Sequence, residues 1–415
     1  MENRKKNEVI AKQCMLVLLG LFAVYGVIWV ATDVWSSNGA SMWPWNPIWY
    51  NSYTLQAQAW LDGRLDLGQN YTYLELAIYN GKYFVSFPPF PSFIFFILGL
   101  IFRYFNFDGF IALLSTIIGA FYVVKLLNQL NKKHVVFWTL FLMIASNLVF
   151  VSCNGWVWFI AQNLCFTLSI MALYYATKGS GGWAFFYWAC SVGCRPFQAI
   201  YFPFLFYIIY TGWKKEHPKE NLWMLVKSKF YWAIPTLVIA GIYMWLNYAR
   251  FGNIAEFGHN YLPEFTEAAK GQFDFSYILD NWKNMFRLFT VGADGTWEYP
   301  KFNGIAIPVC MPIFITYGVY LIYYGRKKQL KDHILIYMHL LLMVIQTLSI
   351  LSHKTLGGWQ FGNRYFIDLL PFLFYVLIKT TPEDDSKVFR FQIPLLVFGI
   401  IINVIGTIAT YNYWV

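Results

Sequence analysis

The stretch LDGRLDLGQNYTYLELAIYNGKYFVSFPPFP (61–91) is the first sizeable polar break in an otherwise apolar chain. Its charged side chains stand among aromatic residues; they are Asp62, Arg64, Asp66, Glu75 and Lys82. A helix bundle has little structural need for such an insert, so we interpret it as a reactive surface. The alternative is a soluble connector that caps the bundle, because charged loop residues are usually just solvated.

The second half of this stretch predicts a β-hairpin. Asn80-Gly81, flanked by apolar and aromatic residues, is the strongest short-range signal for a type I′ turn. That turn pairs Tyr79 with Lys82 and sets Glu75 at the start of the incoming strand.

The composition indicates an integral membrane protein. Hydrophobic residues make up 58% of the 415 residues and charged residues 13%, whereas soluble domains carry about 25% charged residues. The net charge of +10 is typical of nucleic-acid partners, but Lys and Arg sit in short loops between apolar runs, which the positive-inside rule explains better. The six cysteines lack a paired metal spacing and are best interpreted as small buried hydrophobes.

We expect an all-α polytopic helix bundle of about eleven transmembrane helices, in a single domain spanning 1–415. The first span is interpreted as an uncleaved anchor rather than a signal peptide. The sixth contains Pro196, which predicts a break or kink. The predicted spans lie near 14–32, 90–105, 108–127, 134–152, 155–177, 183–212, 230–249, 304–324, 333–352, 365–380 and 391–411.

Loop charges predict the orientation. With a cytoplasmic N-terminus, the basic or mixed loops 214–229, 325–333 and 379–390 are cytoplasmic. Two larger loops, about 33–89 and 250–303, then lie outside with the short Gly-rich loop 353–364. The loop Lys132-Lys133-His134 disagrees, since the same count places it outside. A re-entrant or miscounted helix among the second to fourth spans would account for this.

Four motifs carry a resemblance to a known family. They are YNGKYFVSFPPFP (79–91), CRPFQAIYFP (194–203), NYARFGNIAEFGHNY (247–261) and GGWQFGNRYFIDLLPF (357–372). Together they resemble the GT-C superfamily of polytopic glycosyltransferases, in particular bacterial relatives of protein O-mannosyltransferases. The resemblance implies transfer of a sugar from a polyprenyl-phosphate donor to an acceptor on the non-cytoplasmic side. It also implies a catalytic carboxylate in the first outer loop, although the acidic pair that some relatives carry just after the first span is missing.

The residue types support the same chemistry. Glycosyl transfer from a lipid phosphate needs a base that takes the proton of the acceptor hydroxyl. Among the first-loop acids we place Glu75 first and Asp66 second, with Asp62 and Asp33 behind. The alternative for Asp62 and Asp66 is a turn or helix cap, and Asp33 could simply mark the end of its span.

The departing phosphate needs cations or dipoles. Arg364 is the best candidate, because it lies at the N-terminus of a predicted helix, where an anion is favoured. Asp368, at i+4, would orient its guanidinium, or the two would form a structural pair. Lys82 and Arg195 are further candidates; Lys82 could instead be a solvated turn residue, and Arg195 could snorkel to an interface.

The remaining candidates concern the substrates. His259, Tyr83, Tyr365 and Asp368 are predicted substrate contacts; a lone loop His more often has no such role. The segment 275–289 predicts an amphipathic interfacial helix that walls the donor groove or packs on the bundle. No metal-ligand cluster stands out, so we expect no cofactor, with a divalent cation left open.

We therefore expect a multi-pass membrane glycosyltransferase with an extracytoplasmic active site. Its donor would be a polyprenyl-phosphate-linked sugar and its acceptor a glycan, lipid or protein of the cell envelope, with no nucleic-acid partner. The absence of a P-loop and of a dinucleotide fingerprint favours a lipid-linked donor. A transporter or lipid flippase, or a non-catalytic envelope-assembly component, is the alternative.

Overall fold

The computed structural model describes residues 2–36, 42–102, 106–293, 295, 297–298, 302, 304–382 and 386–413. The chain is an all-α polytopic membrane protein with two small β-hairpins. Six described helices are long and apolar enough to cross a bilayer; they are Arg4–Val34, Asp108–Gln129, Val157–Thr177, Leu222–Phe251, His333–Leu351 and Arg390–Tyr411. The count of eleven spans stays a prediction.

The helices are numbered here along the chain. They are α1 (Glu2–Val34), α2 (Ser52–Leu61), α3 (Phe90–Ile101), α4 (Asp108–Gln129), α5 (Val135–Ile144), α6 (Leu148–Ser152), α7 (Val157–Thr177), α8 (Gly181–Val192), α9 (Phe202–Glu216), α10 (Leu222–Lys229), α11 (Ile234–Phe251), α12 (Pro263–Thr266), α13 (Tyr277–Asn284), α14 (Ile307–Cys310), α15 (Ile313–Arg326), α16 (His333–Leu351), α17 (Leu370–Thr380) and α18 (Ser386–Tyr411). The strands are β1 (Leu76–Tyr79), β2 (Lys82–Val85), β3 (Thr290–Val291) and β4 (Trp297–Glu298). Short 3-10 helices lie at Pro196–Tyr201, Phe230–Ala233, His259–Tyr261 and Arg364–Leu369.

The fold divides into two compact units. The terminal unit comprises Met1–Trp43, Thr116–Cys153 and Phe275–Val415, and the central unit comprises Pro44–Ser115 and Asn154–Asp274. Both larger outer loops contribute to the central unit. The description of 1–415 as a single domain stays a prediction.

Basic loops gather at one end of the terminal unit. The Lys132 ammonium donates to the carbonyl of Thr381 at 3.0 Å, and the backbone N–H of Lys331 donates to the carbonyl of Thr380 at 3.0 Å. The loop at 132–134 therefore lies beside the loops at 325–333 and 379–390, not on the opposite side as the span count implied. This arrangement agrees with the positive-inside rule.

The second predicted span forms a shorter helix than expected. This helix, α3, has 12 residues, which at 1.5 Å per residue is about 18 Å, less than roughly 30 Å of hydrocarbon. The Asn128 amide, near the end of α4, donates to the side chain of Gln13 in α1 at 2.8 Å, so the N-terminal part of α1 and the C-terminal part of α4 share one end. With one crossing each by α1 and α4, we predict that α3 does not cross between them.

Proline interrupts the sixth predicted span, as expected. Helix α8 ends at Val192. Arg195 is extended, with φ −142° and ψ 103°, and the 3-10 helix starts at Pro196. This agrees with the steric preference of a residue before proline. Helix α9 then begins at Phe202, so the segment consists of two half-helices.

Aromatic and aliphatic side chains form the core of the central unit. Tyr53 and Ala57 of α2, Phe95 of α3 and Ile160 of α7 are buried in one cluster. Hairpin residues Leu76 and Val85 belong to the same cluster. The hairpin is thereby fixed against the helices and is more than a solvated connector.

Candidate functional site

The β1–β2 hairpin places the leading candidate acid. Asn80 and Gly81 both adopt positive φ, 49° and 72°, as a type I′ turn requires. Tyr79 pairs with Lys82 and Leu76 with Val85. Glu75 therefore stands immediately before the first paired residue, as the sequence predicted.

The Glu75 carboxylate is held by an indole. Trp158, at the start of α7, donates its Nε1–H to Glu75 Oε2 at 2.8 Å. The Glu75 carbonyl accepts a hydrogen bond from the Ser86 hydroxyl at 3.3 Å. Trp158 also packs against Tyr50, with ring centroids 4.9 Å apart. Backbone and side chain of the exposed Glu75 are thus both oriented by the surrounding fold.

Glu75 lines a cleft of about 360 Å³, at the small end of the range for ligand sites. The two outer loops of the central unit form it together. Leu74, Leu76 and Ile78 supply apolar surface on the hairpin side. The other lining residues are Asn70, Thr72 and Glu75 from the first loop and Leu262, Pro263 and Glu264 from the second.

Arg250 ties the hairpin to the last turn of α11. Its side chain is 3% exposed and donates to the carbonyl of Val85 at 3.3 Å and to Asn247 Oδ1 at 3.1 Å. Its Nε–H donates to the carbonyl of Leu246 at 3.2 Å. Since Val85 pairs with Leu76, Arg250 braces the strand end next to Glu75.

The second outer loop packs along the same hairpin. Tyr261 lies against Tyr79, with ring centroids 4.7 Å apart, and burial raises the pKa of its phenol. His259 is half-buried, with Nδ1 3.4 Å from the carbonyl of Ser86 and its ring against Phe87. His259 thus contacts the hairpin end that carries Glu75.

The other first-loop acids make local contacts. Asp66 Oδ1 accepts a hydrogen bond from the N–H of Gly68 at 2.9 Å, and Oδ2 lies 3.8 Å from the Lys82 ammonium. Asp62 forms a 3.6 Å ion pair with Arg64. These contacts favour a turn-stabilising role for both aspartates. Asp33 is exposed near the end of α1, in the terminal unit.

The remaining predicted contacts of the central unit flank this site. Tyr83, partly buried, pairs with Ile78 in the hairpin and accepts a backbone hydrogen bond from Leu67 at 2.8 Å. Arg195 is half-buried at the break after α8. Burial raises the pKa of Tyr53 well above its usual range, and the positive charge of Arg195 opposes that rise. Arg195 is therefore near enough to Tyr53, a residue of the core that includes Leu76 and Val85, for its charge to be felt there.

Arg364 belongs to the terminal unit and is firmly held there. It is 6% exposed, and its Nε–H and Nη2–H donate to the carbonyl of Gly357 at 2.9 and 2.7 Å. The guanidinium carbon lies 4.9 Å from the ring centroid of Tyr365. Gly357 adopts φ +108°, a conformation that favours glycine.

The helix that follows Arg364 differs in part from the prediction. Arg364 is its first residue, as expected, but residues Arg364–Leu369 form a 3-10 helix before α17 begins. The backbone N–H of Arg364 donates to Gln360 Oε1 at 2.7 Å, so it is not a free N–H for an anion. Asp368 is 2% exposed within the same turn.

A comparison with solved structures finds one protein of similar architecture. The crystal structure of ArnT from Cupriavidus metallidurans in the apo state aligns with a TM-score of 0.50 and 10% sequence identity. The match covers 96% of this chain and 76% of ArnT, a GT-C family protein. The chain has a GT-C-like fold. No protein-family model matches the sequence, and no curated protein does either.

The shared fold confirms the GT-C-like architecture that the resemblance implied, and it confirms the all-α polytopic class. The alignment spans nearly the whole chain. At this identity the likeness concerns the fold, and the roles of individual residues depend on the geometry described above.

The structure also shows polar residues whose contacts the sequence does not predict. Asp108, at the start of α4, is fully buried and accepts a hydrogen bond from the Thr54 hydroxyl of α2. Arg250 and Trp158 were missed as well, because their partners are 165 and 83 residues away in the chain. Within the described residues, no group of three or more His, Cys, Asp or Glu side chains is arranged for a metal ion.

Proposed function

We propose that this chain is a membrane glycosyltransferase that transfers a sugar from a polyprenyl-phosphate donor to a cell-envelope acceptor on the extracytoplasmic face. The observation that carries the proposal is the Glu75 carboxylate, which is oriented by Trp158 and lines a cleft built from both outer loops. The GT-C-like fold supports it, since ArnT is a polyprenyl-phosphate-sugar glycosyltransferase.

Glu75 would act as the general base. A carboxylate that lines a ligand-sized cleft can take the proton from an acceptor hydroxyl while its oxygen attacks the sugar. The bond from Trp158 fixes one carboxylate oxygen, which limits the rotation of the side chain. Asp66 is the second choice, although turn contacts engage both of its oxygens.

Cationic side chains would stabilise the departing lipid phosphate. Arg364 remains our leading donor-phosphate residue, because its planar guanidinium matches phosphate oxygens and the contact with Gly357 preorganises it. Arg195 and Lys82 are the further candidates. Lys82 would have to exchange its contact with Asp66 for the phosphate.

The extracytoplasmic placement is supported by the loop arrangement. The basic loops of the terminal unit share the end of α1 that carries Gln13, and the positive-inside rule makes that end cytoplasmic. The first outer loop follows the opposite end of α1, which supports an outward-facing active site.

Purified full-length chain in proteoliposomes, supplied with a polyprenyl-phosphate sugar and a cell-envelope extract as the source of acceptor hydroxyls, tests the proposal. We expect conversion of the donor to free polyprenyl phosphate and appearance of the sugar on the acceptor, without net movement of intact donor across the bilayer. Glu75→Gln should lower turnover by about 10²–10⁴-fold, the range for loss of a general base. Net transport of the donor without its consumption would instead indicate a flippase and overturn the enzyme assignment.

A further inference from the structure

The cleft beside Glu75 has a charge distribution that selects its occupant. The residues that line it, all within the described part of the chain, include two carboxylates, Glu75 and Glu264, and no basic side chain. Both carboxylates are exposed to the cleft and its surrounding solvent. Two like charges in one cleft repel an incoming anion and attract a cation.

The uncharged lining points to the chemical class of ligand. Asn70 and Thr72 offer both hydrogen-bond donors and acceptors, which suits hydroxyl groups. Leu76 and Leu262 supply apolar surface on facing loops, which suits the C–H face of a sugar ring. The volume of about 360 Å³ is at the lower limit for drug-sized ligands, so one ring is a better match than a long chain.

We infer that this cleft is the acceptor subsite and that it takes a hydroxylated, sugar-sized group that is neutral or cationic, with Glu264 as a specificity-determining residue. The inference rests on the proposed function, because a base at Glu75 must contact the acceptor hydroxyl. The same two carboxylates disfavour the donor phosphate inside this cleft, so the phosphate would lie at its edge, beyond the sugar carbon that the acceptor attacks.

The fold of the second outer loop fixes the position of Glu264 at the cleft. It lies in the first turn of the short helix α12, next to Pro263, which fixes the backbone at the start of the helix. Buried Leu262 and Phe265 anchor the segment on either side of it. Glu267, one turn further on, is exposed and does not line the cleft, so it provides a matched control for a change of charge.

Ligand-observed NMR on the full-length chain in nanodiscs, without donor, tests the inference. The probes are methyl glucoside, its 2-amino analogue, methyl glucosaminide, and its anionic analogue, methyl glucuronide. We expect the neutral and cationic glycosides to bind and the glucuronide to bind most weakly. Glu264→Gln should reduce the preference for the cation over the anion by about two- to fivefold, the effect of one exposed charge pair, and Glu267→Gln should leave it unchanged.

Each remaining outcome decides against the inference. No binding of any probe, equal binding of all three, or a preference for the glucuronide would overturn it. Equal effects of Glu264→Gln and Glu267→Gln would remove the role of Glu264. The proposed function is tested separately by donor consumption. Binding in the expected order without turnover would support the acceptor subsite and contradict the glycosyltransferase assignment. Turnover with a different order of binding would support the glycosyltransferase assignment and contradict the acceptor subsite.

Discussion

Replacement of Trp158 by Phe tests whether the orientation of Glu75 matters for turnover. The change removes the 2.8 Å bond from the indole N–H to Glu75 Oε2 and retains an aromatic ring against Tyr50. Hydrogen bonds to charged groups contribute about 1.5–3 kcal/mol when buried. Because Glu75 is exposed, we take about 1 kcal/mol, which is roughly a fivefold loss in kcat/KM.

The chemistry of the bond gives the direction of this effect. The indole N–H donates to the charged carboxylate, which is the form that accepts a proton. Loss of the bond therefore lowers the rate.

The assay is donor consumption by purified protein, with thermal unfolding measured in parallel. Trp156→Phe is the matched control, because Trp156 packs on the same Tyr50 ring and lies two residues away. We expect the roughly fivefold loss in kcat/KM for Trp158→Phe and no such loss for Trp156→Phe. An unchanged rate in Trp158→Phe would refute the orienting role of the indole.

Three further predictions concern the support of the site and its topology. Arg250→Met leaves the buried carbonyl of Val85 without this donor and should destabilise the protein by about 1–3 kcal/mol. We expect a lower Tm together with a reduced kcat. An unaltered Tm would contradict the stabilising role of the bond from Arg250 to Val85. Thr54→Val removes the hydroxyl that bonds Asp108 and should cost a similar amount, about 1–3 kcal/mol, in chemical unfolding, while Thr54→Ser should not. A cysteine introduced at Lys133 should react with a membrane-impermeant thiol reagent only from the side that labels a cysteine at Lys328, and labelling from the other side would restore α3 as a span.

Local signals in the sequence predicted the hairpin and the helix break. Asn80-Gly81 specifies a type I′ turn through the backbone freedom of two residues, and Pro196 restricts its own backbone and that of Arg195. Both effects act within a few residues, so sequence alone is sufficient to find them.

The rest depends on contacts that sequence patterns do not encode. The apolar run at 90–105 looks like a span, but its helix α3 has only 12 residues, and hydropathy does not give the length of the helix that forms. Arg250 looks like an ordinary basic residue at the end of an apolar helix until its bond to Val85 places it inside the fold. Asp108 resembles a solvated helix start, yet it is fully buried against Thr54.

The most direct test of the central claim compares donor consumption by wild-type chain with that by Glu75→Gln and Asp66→Asn, in one preparation with a polyprenyl-phosphate sugar and a cell-envelope extract as the source of acceptor. We predict turnover by the wild type, a loss of about 10²–10⁴-fold in Glu75→Gln, and a much smaller loss in Asp66→Asn, whose carboxylate stabilises a turn. Full turnover in Glu75→Gln, in protein that unfolds at the wild-type temperature, would contradict the assignment of Glu75 as the base.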